Sequence, residues 1–142
     1  MRSDLEDWAD ESLYFYEMCM RFTFPHNAER WMPELLKHDS GVMRTLASWL
    51  FPRHTNKQLD AQGTGRKGRE RVAQEAASHI AAVGDYLGDN DWLVGGALTN
   101  ADIAVFAQLD CLRGTEEGAT QIESLPAVQA WMQRVDEATA AP

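Results

Sequence analysis

Apolar residues recur along this chain at helical spacings of three and four, and no stretch alternates convincingly in the two-residue rhythm of a half-buried strand. Leu5, Trp8, Ser12, Phe15 and Cys19 mark a first helix running to about Phe22, with Ser3 and Glu6 at capping-box spacing at its start. Phe24-Pro25-His26-Asn27 breaks it, and Asn27 is placed to cap a second helix through Trp31 and Leu35. Ser40 is placed to cap a third, carrying Val42, Leu46, Trp49 and Leu50. Pro52 removes an N–H and crowds the preceding turn, so this helix is predicted to kink or end there and to resume from Arg53 to Gln62. Beyond a glycine turn, Val72, Ala76, Ile80, Val83 and Leu87 line one face of a long helix that Gly88 or the Asp89-Asn90-Asp91 cluster terminates. The last helix starts near Pro126, a favoured first-turn residue, and turns Val128, Trp131, Met132 and Val135 inward. Its final residues, ending Ala140-Ala141-Pro142, are expected to fray.

The most informative segment is Trp92-Leu93-Val94-Gly95-Gly96-Ala97-Leu98-Thr99-Asn100-Ala101-Asp102-Ile103. With Thr99 at the N-cap, its hydroxyl can accept the N–H of Asp102 while the Asp102 carboxylate reaches back to the N–H of Thr99. Leu98 and Ile103 occupy the positions of a hydrophobic staple. Ala104 to Leu109 is apolar nearly all the way round, which predicts a helix sunk in the middle of a bundle. Losing either member of the box to alanine is expected to cost on the order of 1 kcal/mol or more.

A length of 142 residues fits one domain, residues 1–142, and a hydrophobic content of 44% with five tryptophans can fill its core. The net charge of −9 argues against nucleic acid or an anionic membrane held by bulk electrostatics. No apolar run is long enough to span a membrane, and the acidic start Met1-Arg2-Ser3-Asp4-Leu5-Glu6-Asp7 lacks the hydrophobic region of a signal peptide, so a cytoplasmic chain is expected. Cys19 and Cys111 sit within apolar helical pattern without a CxxC pair or a histidine cluster, which reads as buried reduced thiols and no metal.

Candidate chemistry is sparse. Gly63-Thr64-Gly65-Arg66-Lys67-Gly68 matches a dinucleotide fingerprint, but Lys57 to Gln62 is polar and helical where that motif needs a hydrophobic strand, so an interhelical turn is predicted. Arg66, Lys67 and Arg69, with Arg71, gather near a helix start and form a candidate anion contact. On the first helix Tyr14, Met18 and Arg21, with Asp10 and Glu17, lie beside the apolar stripe and form a candidate ligand or partner surface, with core padding as the plainer alternative. Arg21 beside Phe22 and Arg30 beside Trp31 can make cation–π contacts. His26, His38, His54 and His79 are scattered, no serine sits in a nucleophile elbow, and no carboxylate pair has acid–base spacing, so no catalytic residue is named. His79, beside the stripe of the long helix, is expected to be partly buried.

The Thr99-x-x-Asp102 box after the aromatic-Leu-x-Gly turn at Trp92 resembles the C-terminal, all-helical domain of glutathione S-transferases. Asp10 to Tyr16 through Arg21-Phe22, and Gln62-Gly63-Thr64-Gly65-Arg66, look most similar to its metaxin-related and failed-axon-connections-type branch. The resemblance covers nearly the whole chain and implies an all-α bundle. A complete transferase adds an N-terminal thioredoxin-like half that holds glutathione and the activating Tyr, Ser or Cys; nothing before Ser3 encodes one, so this domain is expected to occur without it. No cofactor is expected, and glutathione only if a thioredoxin-like half is supplied. The resemblance then implies a stand-alone, non-catalytic binding or protein-interaction module, with a homodimer, an apolar small molecule or a thioredoxin-like domain covering its open apolar surface. The alternatives are the C-terminal half, as a fragment or a split subunit, of a glutathione-dependent transferase, and a truncated chain performing no small-molecule chemistry.

Overall fold

The computed structural model describes residues 2–140, with side chains from Asp4 onward. Every regular element among the described residues is helical. Helix α1 (Arg2–Trp8) passes through a π-helical turn (Ala9–Leu13) into α2 (Tyr14–Thr23). Next come α3 (Pro25–Leu35), α4 (Gly41–Gln62), a 3₁₀ turn (Thr64–Arg66), α5 (Arg69–Leu87), α6 (Asn100–Arg113), α7 (Glu116–Glu123) and α8 (Pro126–Thr139). The expected all-α bundle is present.

The stripes of α5 and α8 behave as their spacing predicts. Val72, Ala76, Ile80, Val83 and Leu87 are buried, and so are Val128, Trp131, Met132 and Val135. Gly63, with φ of 113°, closes α4 in the left-handed region and leads into the 3₁₀ turn and α5, so the glycine-rich stretch is an interhelical turn. Gly88 closes α5. The Ser3 side chain, Ala141 and Pro142 lie outside the described residues, and with them the first capping box and the frayed end.

Around α6 the box is closed, and its carboxylate does more than cap. Asp102 is fully buried, and four donors converge on it. Oδ2 accepts the Thr99 N–H at 2.9 Å and the Thr99 hydroxyl at 2.8 Å. Oδ1 accepts the Leu93 N–H at 2.8 Å and the Trp131 indole N–H at 3.0 Å. One side chain therefore fastens the Trp92 loop, the start of α6 and the middle of α8. Helix α6 packs against α1, α2, the π turn, α7 and α8, which makes it the centre of the bundle. It is not enclosed all round, because Ile103, Ala107 and Asp110 form an outer edge in solvent. Leu98 packs against the core, while Ile103, its proposed staple partner, stays 44% exposed.

Several local expectations are corrected. Helix α3 starts at Pro25 with Phe24 at its N-cap, so Asn27 lies inside the first turn and does not cap its own helix. Buried instead against α7, Asn27 Oδ1 accepts the Glu116 N–H at 3.1 Å and its Nδ2 donates to Glu117 at 2.9 Å. Asn27 thus helps cap a helix about ninety residues away, beside Thr115, whose hydroxyl accepts the Gly118 N–H at 3.1 Å. Ser40 does hold the N-cap of α4, yet its hydroxyl makes no capping bond. Pro52 does not end α4, which is a single helix from Gly41 to Gln62. The carbonyl that loses its donor belongs to Ser48, an exposed residue, so water can replace the missing bond.

In the first helix the buried positions are Ala9, Leu13, Tyr16, Glu17, Cys19, Met20 and Phe22, whereas Trp8, Ser12 and Phe15 are only partly buried. The extra residue per turn at Ala9–Leu13 moves the stripe relative to a regular helix. Glu17, which regular winding places on a surface face, is 3% exposed. Cys19 is buried and Cys111 half-buried, both as free thiols, and burial raises the pKa of each.

Removing the Asp102 carboxylate strands two buried donors besides undoing a cap. Asp102→Ala is therefore expected to cost about 3 kcal/mol or more, against about 1 kcal/mol for Thr99→Ala. Urea midpoints of the two variants test this; equal shifts would show that Leu93 and Trp131 gain nothing from the carboxylate.

Candidate functional site

Three surfaces compete as the functional site. The first is the basic cluster at the start of α5. Lys67 Nζ donates to Glu75 Oε2 at 2.5 Å and to the Tyr16 hydroxyl at 3.0 Å. Tyr16 in turn donates to the same Glu75 oxygen at 2.6 Å, and Arg71 Nε donates to Oε1 at 2.8 Å. Donation by Lys67, Tyr16 and Arg71 pulls the Glu75 carboxyl down to a pKa of about 2. Two of the cations grouped by the sequence, Lys67 and Arg71, are thus already paired with one carboxylate of the chain's own. Arg69 remains, lining a shallow polar hollow with Lys67, Asn56 and Gly68, while the Arg66 guanidinium sits against Gly63.

The second is the outer face of α2. Tyr14 is exposed with its ring edge-on to Phe15 at 5.3 Å, and Met18 packs against the core. Arg21 is held from several sides. It donates to buried Glu17 at 2.9 Å, and its guanidinium lies 4.0 Å from the Trp31 ring centroid and 4.9 Å from that of Phe22. The cation over Trp31 is therefore Arg21. Trp31 donates its indole N–H to the Gly114 carbonyl at 3.0 Å, packed so closely that any Cβ at Gly114 would overlap the ring. This assembly clamps α2 and α3 to the end of α6, a structural duty for Arg21. Of the histidines, His26 bonds Glu117 at 2.8 Å in a second α3–α7 tie, and His79 lies between the rings of Trp8 and Tyr16.

The third surface is the first half of α4. Val42, Met43, Leu46, Trp49 and Leu50 are all exposed, Val42 by 84% and Trp49 by 55%. At 3.6 residues per turn they share one side of the helix, and Phe51, Thr55 and Leu59 lie on the other. Phe51 packs edge-on to Phe22 at 4.9 Å, and Thr55 and Leu59 are buried. The tryptophan expected to help fill the core is therefore on the surface. A helix that is apolar on both sides, over residues 42–51, was the available signal: one stripe buries against the bundle and the other has nothing to cover it within the described residues.

A family profile described as "Glutathione S-transferase, C-terminal domain" matches residues 42–138, the greater part of the chain. The chain belongs to the glutathione S-transferase C-terminal domain family. Comparisons with curated proteins and with solved structures gave no match. The family match begins at Val42, so the exposed stripe of α4 and the Asp102 network both lie within it. No helix among the described residues is long and apolar enough to cross a membrane.

In this transferase-type domain the Glu75 cluster makes stability depend on acid. A carboxyl with a pKa near 2 when folded and near 4.5 when unfolded stabilises the fold above pH 4.5, and that contribution disappears as pH falls toward 2. Glu75→Gln should therefore lower the denaturation midpoint at pH 7 and flatten its dependence between those pH values. A parallel pH dependence in wild type and variant would show that the cluster is energetically silent.

Proposed function

We propose that this chain is a non-catalytic interaction module of the transferase C-terminal type, that the outward side of α4 is its contact surface, and that its partner is a second copy of itself. The observation that carries the reading is the row Val42, Met43, Leu46, Trp49 and Leu50, large apolar side chains at helical spacing left in solvent. Scattered apolar residues need no partner, but a contiguous row of this kind does.

Charge favours the second copy. Helix α4 carries Arg44, Arg53 and Lys57 against Asp60 alone, within a chain of net charge −9. Two such helices crossing antiparallel at Leu46 pair apolar turns with apolar turns. Arg53, seven residues beyond that centre, then comes level with the α3–α4 junction of the other copy, where Asp39 lies. A closed two-fold pair of this type is the commonest symmetry of homo-oligomers. Tyr14 and Met18 offer a second, smaller contact, with Arg21 behind them, and Arg66, Lys67 and Arg69 a weak anion contact. The metaxin-related and failed-axon-connections branch and a cytoplasmic location are consistent with this role.

Family membership favours a second reading, in which the same stripe receives a thioredoxin-like half and the pair forms a glutathione-dependent transferase. Native mass measurement separates the two. The wild type is expected to be dimeric and Leu46→Glu monomeric but still folded by circular dichroism, because Leu46 is exposed in the single chain. A wild type that stays monomeric at the highest attainable concentration overturns the second-copy reading. Glutathione-agarose retention of the isolated chain would contradict the interaction-module reading.

A further inference from the structure

A cavity of about 230 Å³, partly open to solvent, lies between α1, α5 and α6, away from the α4 stripe and from Tyr14, Met18 and Arg21. Its walls are Leu5, Trp8, Ala82, Val83, Leu93 and Val105, with Tyr86 at the rim. One wall is different: His79 brings the sole imidazole into an otherwise hydrocarbon and aromatic lining. An engineered cavity of about 150 Å³ suffices for benzene, and drug-sized ligands need about 300 Å³ or more. The volume here suits one ring or a small fused pair.

His79 is held by ring contacts and by no hydrogen bond among the described residues. Its ring is held by Trp8, with centroids 5.5 Å apart, and by Tyr16 at 4.9 Å. Trp8 and Tyr16 are eight residues apart, which on a regular helix leaves them about 80° out of line. The π turn between them brings both onto the imidazole. Yet neither ring nitrogen makes a hydrogen bond among the described residues, and neither is sealed from solvent. Burial lowers the pKa of His79, opposed by the Glu75 charge one turn away and aided by Lys67, so the ring favours its neutral form, with one donor and one acceptor. The floor is equally fixed, because Leu93 and Val105 are buried and the Leu93 N–H is bound by Asp102.

We propose that this cavity binds a small neutral aromatic molecule carrying one hydroxyl or N–H group, its ring against Trp8, Val83 and Val105 and its polar atom on His79. The apolar walls exclude an anion, as does the net charge of −9. A hydrogen-bonding group is favoured because an isosteric hydrocarbon seated against the imidazole would displace the water that can otherwise satisfy it.

The probes are 4-methylphenol and its near-isostere p-xylene, titrated against the intact chain by ligand-observed saturation-transfer NMR. The wild type is expected to bind 4-methylphenol at least tenfold more tightly than p-xylene. His79→Leu should erase that preference while keeping p-xylene affinity. Ala82 stands at the cavity mouth, so Ala82→Trp and Ala82→Leu should fold normally and weaken both probes tenfold or more. Thermal melts verify each fold. Equal affinity of the wild type for the two probes, no binding of either, or full binding retained by both Ala82 variants would each overturn the proposal.

Discussion

The structure depends on one carboxylate kept out of water. Asp102 is fully buried and accepts from two backbone N–H groups, a hydroxyl and an indole, so the penalty of removing an acid from solvent is offset by four aligned donors. Those donors come from three places: the loop after α5, the cap of α6 and the interior of α8. Because the geometry is met only when all three are in place, the carboxylate couples the docking of α8 to the starting point of α6. Leu93, and with it one wall of the α1–α5–α6 cavity, is positioned by the same group.

Much of this is legible in the sequence, for a physical reason. The Thr99–Asp102 box and the stripes on α5 and α8 are local or strictly periodic features, and short-range spacing encodes both. The features that spacing does not reveal are non-local. Its position in the chain suits Asn27 to capping its own helix, but its partners at Glu116 and Glu117 are about ninety residues away. Nothing in the pattern distinguishes a carboxylate that caps from one that also receives Trp131. Glu17 falls on a surface face only under regular winding, which the π turn breaks. The period of the α4 stripe places it on a helix, but a period fixes only which residues share a side, and not whether that side meets the bundle.

Several charged side chains of this domain are committed to partners within it. Glu17 holds Arg21, Glu75 holds Lys67 and Arg71, and Glu117 holds His26 and Asn27. Lys67, Arg21 and His26 are thereby committed to tying helices together, through Tyr16, Trp31 and Glu117. The surfaces left over for recognition are apolar: the row along α4 and the cavity beneath Trp8. That distribution explains why no catalytic constellation stands out along the chain, while the hydrophobic pattern, followed past the core, leads to both surfaces.

The π turn has a further consequence for the first helix. Excising one residue from Ala9–Leu13 would leave Trp8 and Tyr16 seven positions apart, about 20° out of line on a regular helix, so ordinary winding would return with the upstream residues still facing the cavity. Regular winding of the undeleted chain would instead turn Leu5 and Trp8 by about 80°, off the cavity, while Tyr16, Met20 and Phe24 kept their seats in the core. The widened turn is thus a phase adjuster between two halves of one rod, absorbing one extra residue so that the opening segment keeps its aim.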